Sequence, residues 1–349
     1  MRSLTSLTIA AGVDVKDLRG LQCLTTLNEL ALDLRGSEIT SLEGLDKLSG
    51  LTSLKITLDS GVTSLAPLLQ IPNLRALEIE FYDSRLTSIS DLGRMRHLSS
   101  LGLGLGKFQL KGLASLKRVS TLRSLSIFGM DFPADVLLDL GALTQIRSLS
   151  IFVPKGSGDS IAWIDPLNQL TSLTLFLSDS DLSSLVGLRD CKELMTMKLV
   201  VGKKFTSLDG IQQLSALRSF SLTAHKSSLS SLEPLARLQE LRDLSLTIQE
   251  SDIRDVSSVG QIVGLRNLKL DLSDSDVTDI SGLSRLSSLE SAELILPASL
   301  FSNSAADLTR RDVTKLWIIF EGSNLPEVPR GYRFVGLSDA QVIMEEGER

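Results

Sequence analysis

The phrase L-x-x-L-x-L recurs down this chain at a nearly constant step, and no other feature limits its fold so tightly. The phrase begins at Leu4, Leu27, Leu51, Leu74, Leu98, Leu122, Ile146, Leu170, Leu194, Leu217, Leu241, Leu265, Leu289 and Val313. Of the thirteen steps between these starts, ten are 24 residues and three are 23. A fixed short period means that one supersecondary unit is copied and stacked, each copy burying its apolar side only against its neighbours. The length of 349 residues therefore describes a stack of units rather than two or three globular domains.

Counting from the first residue of each unit, apolar residues fall at positions 1, 4, 6 and 8, then at 13, 16, 19 and 22. Alternation at 4, 6 and 8 is strand periodicity, as in Leu268, Leu270 and Leu272. The spacing of three that follows suits 3₁₀ turns better than an α-helix with 3.6 residues per turn. Each unit thus reads as a short strand, a turn and a tight return segment. In the three 23-residue units, Val15, Val62 and Phe205 arrive one place early, so the deletion lies in the turn. A short polar residue precedes position 16 in ten units: Asp17, Ser41, Ser64, Ser88, Ser160, Ser184, Ser207, Ser231, Asp255 and Asp279. Such side chains are expected to cap the return turn. Gly112 and Val136 take that place in two others, and Asp135 to Ala142 reads as more α-helical.

These residues resemble the leucine-rich-repeat family, in particular its short-repeat branch with the internalins and the leucine-rich regulatory subunits of protein phosphatase 1. The resemblance covers residues 4 to 296. It implies an α/β solenoid: a horseshoe with a parallel β-sheet on the concave face and 3₁₀ or short helical turns on the convex face. One departure stands out. The family places Asn at position 9, whereas this column runs Gly12, Arg35, Asp59, Tyr82, Gly106, Met130, Pro154, Ser178, Gly202, His225, Gln249, Ser273, Pro297 and Glu321. Position 8 is apolar in all units except at Gly129, so a longer strand with backbone bonding is expected to replace the Asn ladder.

The repeats assign residues 1–296 to the solenoid and 297–349 to a last strand and C-terminal cap. In the cap, Ser304 would begin a helix over 305–308, a strand follows at Lys315 to Phe320, and Trp317, Tyr332 and Phe334 read as cap packing. Leu4 opens a full unit with no comparable cap, so self-association, a partner or an upstream region is expected to cover that repeat.

With positions 4, 6 and 8 inward, positions 3, 5 and 7 face solvent. The position-7 column holds Phe128, Phe152, Phe176 and Val200 in succession, a candidate partner-binding ladder. Small residues lie beside it, with Gly102 and Gly104 as a low floor and Ser126, Ser150 and Thr174 at position 5. The competing reading is structural, with Phe128 lying over the bare backbone of Gly104 and the rings stacking across strands. Arg75, Arg123, Arg147, Arg218, Arg242 and Arg266 form a broken basic line at position 2, read as a rim paired with local acids such as Glu240. Glu78, Glu80 and Asp83 read as a solubilising patch.

Composition restricts the function classes. Net charge is −6 and the isoelectric point near 5.2, which argues against nucleic acid as partner. No apolar run approaches 18 residues, so no membrane-spanning helix is expected. His97 and His225 fall in units four and ten, and Cys23 and Cys191 seven units apart. No Cys/His pair or zinc spacing is present, so neither a metal nor another cofactor is expected, and no enzyme. Cys191 fills an inward position as a small apolar residue, and two cysteines cannot form a disulfide framework, so the chain reads as cytoplasmic. The expected function is a non-catalytic scaffold that binds a protein on its concave face. Alternatives are a sensor or regulatory segment of a larger signalling or defence switch, and a glycan-binding, adhesin-like surface protein.

Overall fold

A computed structural model describes residues 4–12, 14–106, 111–129, 135–152, 160–178, 180–273, 275–297, 300, 315–321, 332–337 and 341–346, with side chains described only as far as 300. Ser304 and residues 305–308 lie outside the described residues, as do the side chains of Trp317, Tyr332 and Phe334. The chain divides into two compact units, Met1–Ser157 with Pro166–Leu170, and Gly158–Asp165 with Thr171–Arg349.

In the first unit the repeat phrase becomes seven strands: β1 Ser6–Ala10, β2 Glu29–Asp33, β3 Ser53–Leu58, β4 Ala76–Phe81, β5 Ser100–Gly104, β6 Ser124–Phe128 and β7 Ser148–Phe152. Each pairs in parallel with the next, and equivalent residues meet: Leu30 opposes Leu54, Leu77 opposes Leu101, and Leu125 opposes Leu149. The offsets between partners are the 23 and 24 residues of the sequence period, so the period and the sheet register are one quantity. Inward leucines and isoleucines such as Leu101, Leu103, Leu125 and Ile127 are buried. Each fully buried aliphatic side chain contributes on the order of 1.5–3 kcal/mol. On β1, Leu7 and Ile9 are only half-buried.

The second unit repeats the arrangement in β8 Ser172–Leu177, β9 Thr196–Val201, β10 Ser219–His225, β11 Asp243–Gln249, β12 Asn267–Asp271, β13 Ser291–Pro297 and β14 Lys315–Glu321, all parallel in order. Strand β14 falls where the sequence places it. Two strands that the repeat does not predict follow, β15 Tyr332–Leu337 and β16 Gln341–Glu346. They form an antiparallel pair, with β16 also antiparallel to β14. Glu345 and Glu346 end the last of these strands.

The return segments are 3₁₀ turns, such as Arg19–Cys23, Leu113–Arg118 and Ser281–Arg285, as spacing by three requires. The exception is α1, Asp135–Gly141, where the sequence reads as helical. The short polar residues act slightly outside their expected place. Ser64 accepts a hydrogen bond from the Ala66 N–H at 3.1 Å, Ser231 from Glu233 at 3.1 Å and Asp279 from Ser281 at 2.7 Å. Asp17, Ser41, Ser88, Ser160, Ser207 and Asp255 do the same for the N–H two residues on. They are Asx- and Ser/Thr-type turns that lead the chain into the 3₁₀ segment.

Backbone bonding does extend to position 8, where the Asn ladder is missing. The Leu105 N–H donates to the Phe128 carbonyl at 2.7 Å, Leu34 to Thr57 at 3.1 Å and Leu272 to Ile295 at 2.8 Å. Those leucines are buried. At Gly129, a side chain would meet the Leu105 Cβ at 2.7 Å, so Leu105 already fills the space left there.

Candidate functional site

Strand alternation sends the odd positions of β3 to β6 to the solvent face of the first unit's sheet, and the parallel register lines them up in rows. One row is Lys55, Glu78, Gly102 and Ser126; the next is Thr57, Glu80, Gly104 and Phe128. A third, of Ser53, Ala76, Ser100 and Ser124, has only small side chains. Tall residues on β3, β4 and β6 therefore flank a strand with none. The result is a trough of about 530 Å³ running over β5, walled by the Glu78 and Glu80 side chains and by Phe128. Glu80 and Phe128 stand two strands apart, about 9.5 Å at the backbone.

The acidic wall is held in place. Lys55 Nζ lies 2.7 Å from a Glu78 carboxylate oxygen and 3.0 Å from one of Glu80. The Thr57 hydroxyl donates to the other Glu80 oxygen at 3.2 Å. The Glu78 carboxylate first, and then that of Glu80, hold the Lys55 ammonium above the ordinary lysine value. Two carboxylates share one ammonium, so the wall keeps one net negative charge. All three side chains are about half-exposed, where an ion pair contributes ~0–1 kcal/mol. Its consequence is to hold both carboxylates on the one Lys55 ammonium.

The opposite wall is apolar. Phe128 is 43% exposed, and its ring meets that of Phe152 edge-on with centroids 6.5 Å apart. This edge-on contact is the stacking across strands that the structural reading expects. The atoms nearest the vacant side-chain position of Gly104 belong to Glu80, with Cγ at 3.3 Å; those nearest Gly102 belong to Glu78, also with Cγ at 3.3 Å. The carboxylate arms lean towards the floor, and the ring leans towards Phe152.

Of the candidate binding residues, Gly102, Gly104, Ser126 and Phe128 therefore line one trough. Ser150 and Phe152 face solvent on β7, in the first unit, beyond its lining. Thr174, Phe176 and Val200 face solvent in the second unit, where Phe176 opposes Val200 and Thr174 opposes Lys198. Lys198 Nζ stands 5.9 Å from the Phe176 ring centre. The residues missed are Lys55, Glu78 and Glu80. In the sequence the acidic pair reads as a solubilising patch, although adding the period of 23 or 24 residues to Lys55 leads to Glu78 and then Gly102.

Elsewhere the basic line is partly tied to the scaffold. Arg266 pairs with Glu290 at 3.2 Å, and the Arg123 guanidinium donates to the carbonyls of Ser120 and Leu122. His225 stands 4.0 Å from Glu250 in the second unit. Cys191 is buried, and desolvation pushes its thiol up to about 12; Cys23 is exposed. Among the described residues, no three His, Cys, Asp or Glu side chains are grouped as a metal ion would need. No helix among them is long and apolar enough to cross a membrane.

No protein-family model matches the sequence, and no curated protein matches it. Solved structures do share its fold. The internalin InlF from Listeria monocytogenes is similar with a TM-score of 0.62 at 21% identity, over 90% of this chain and 87% of that one. TLR13, in its complex with ssRNA13, is similar with a TM-score of 0.61 at 18% identity, over 94% of this chain and 52% of the receptor, so the chain spans about half of TLR13. The functional domain of InlJ from Listeria monocytogenes gives a TM-score of 0.51 at 16% identity, over 96% of this chain and 77% of that one.

Proposed function

Proceeding from a chain that folds as a leucine-rich-repeat solenoid, we propose that it is a non-catalytic scaffold that binds a protein partner on the solvent face of its sheet, centred on the trough over β3 to β6. The observation that carries this reading is the asymmetry of the sheet in the first unit. One face is sealed by buried aliphatic side chains, while the other holds an exposed phenyl ring beside an open trough. An exposed aromatic at the edge of a depression suits the anchor of a protein interface. The neighbours in fold support a role in recognition, one of them being solved as a receptor–RNA complex. For this chain a protein is the better partner, because the trough wall and the net charge of −6 are both negative and would repel a phosphate backbone.

An exposed thiol at Cys23 with no second cysteine in reach suits a reducing compartment, and on that ground we place the chain in the cytoplasm. Fractionation with thiol trapping would test that placement; recovery from an oxidising compartment refutes it.

The binding face is tested by placing a photo-crosslinking benzophenone at Phe128 and, as control, at the exposed Val186 on a return turn. The expected result is a discrete protein adduct from position 128 alone. Adducts of equal yield from both positions, or none at 128, would overturn the reading.

A further inference from the structure

We propose that the trough over β5 is a slot for an arginine side chain presented by the partner protein; this rests on the reading of that face as a protein-binding surface. The first observation concerns the floor. Glycine inside a strand weakens it and often marks a place where another group comes close. Neither Gly102 nor Gly104 has the positive backbone angle that would demand glycine. A side chain at either would meet the Cγ of a half-exposed glutamate at 3.3 Å, which would have to yield slightly, and no backbone any closer. No backbone angle demands these two glycines, and what their absent side chains supply is room.

The second observation concerns charge. Glu78 and Glu80 share the single ammonium of Lys55, so one negative charge is left uncompensated at the edge of that room.

The third is a comparison within the molecule. Tyr82, another exposed aromatic of the first unit, has the Arg35 guanidinium 5.6 Å from its ring centre. In the second unit, Phe176 carries Lys198. Among the described residues no cation lies over Phe128, whose neighbours at position 5 are the short Ser126 on its own strand and Ser150 on the next. The chain thus supplies its own cation to two outward rings and leaves a third beside surplus negative charge.

A guanidinium meets all three conditions together. It is cationic, it stacks by its face on a phenyl ring, and its N–H fork bonds carboxylates side-on. An ammonium supplies the charge without the flat face, and an apolar side chain would leave the charge unanswered. The assignment is therefore arginine, and the slot between Glu80 and Phe128 is one side chain wide.

The test pans a random heptapeptide display library against the whole chain, then measures the enriched peptides by calorimetry. The expected outcome is enrichment of arginine next to an apolar residue. Replacing that arginine by citrulline, which keeps the shape and removes the charge, should weaken binding at least about tenfold, the size of one lost charge-assisted hydrogen bond. The near-isosteric Glu78→Gln/Glu80→Gln protein should lose a similar factor, as should Gly104→Leu, which fills the slot. A pool that enriches nothing, or peptides indifferent to citrulline, overturns the arginine assignment. So does lysine serving equally well. If enriched peptides also ignore Phe128→Asp, the binding face itself is misplaced, which separates that failure from the narrower one.

Discussion

Replacing both floor glycines by alanine should make this protein more stable, and the sign of that effect tests the reasoning about the trough. Glycine in a strand interior is less favourable than alanine by roughly 0.5–1 kcal/mol, so two sites offer about 1–2 kcal/mol. Against this stands the approach of each new Cβ to a glutamate Cγ at 3.3 Å. The Glu78 and Glu80 side chains are 51% and 44% exposed and can swing outward, at a cost of about 0.5 kcal/mol each. The net expectation for Gly102→Ala/Gly104→Ala is a gain of about 0.5 kcal/mol, within a range of about 0–1, read as a rise of about 1 °C in melting temperature by calorimetry. Gly106, two residues further on, is the internal control. Its φ is +52°, and a Cβ there would run into the Phe81 carbonyl oxygen. Gly106→Ala should therefore lower stability by about 1–2 kcal/mol or more. Thus in the stretch Leu101 to Gly106, the first two glycines make room and the third makes a turn. A double variant that loses more than about 1 kcal/mol would show that the local backbone needs those glycines, and the case for a functional floor would fall.

Other outcomes follow from the same structure. Ser231→Ala removes the acceptor of the Glu233 N–H and should cost about 1 kcal/mol in denaturant melts, whereas Ser231→Asp should cost little. Asp165 has a carboxylate oxygen that is buried without a hydrogen-bond partner, and burial first, then the nearby Asp190 charge, raises its pKa. An acid with a raised folded-state pKa is a burden while ionised. Asp165→Asn should therefore be the more stable protein at neutral pH, with the gap closing as pH falls through the raised folded-state value towards 3.8; a gap constant with pH refutes this. Iodoacetamide at pH 8 should label the exposed Cys23 and spare Cys191, whose thiol is pushed up to about 12, until denaturant is added. Mass spectrometry of the native protein showing both sites modified would contradict that burial.

Much of the fold is legible in the sequence because a repeat states its own register. Once Leu77 and Leu101 are recognised as equivalent, their pairing is fixed, and with it which side chains face solvent. The early arrival of Val62 places the deletion outside the strand, where the sheet is indifferent to it. The last two strands were not legible, since β15 and β16 leave the period and turn antiparallel. The ring–cation contacts escaped for a different reason. Lys198 reaches Phe176 from a different row, so the column-by-column order of the sequence keeps them apart.

The amino-acid sequence by itself determined the solenoid, its parallel register and the outward direction of Phe128, Gly102 and Gly104, because copying one unit at a fixed step leaves only one way for equivalent residues to meet. The tertiary structure alone decided where the side chains lean. Glu78 and Glu80 bring their Cγ atoms to 3.3 Å from the vacant side-chain positions of the glycine floor while Lys55 and Thr57, on the strand at the other side, bond their carboxylates, and Phe128 turns its ring to Phe152. Those torsions are set by lateral contacts between strands some two dozen residues apart, and they turn a row of letters into a trough with one charged wall and one apolar wall.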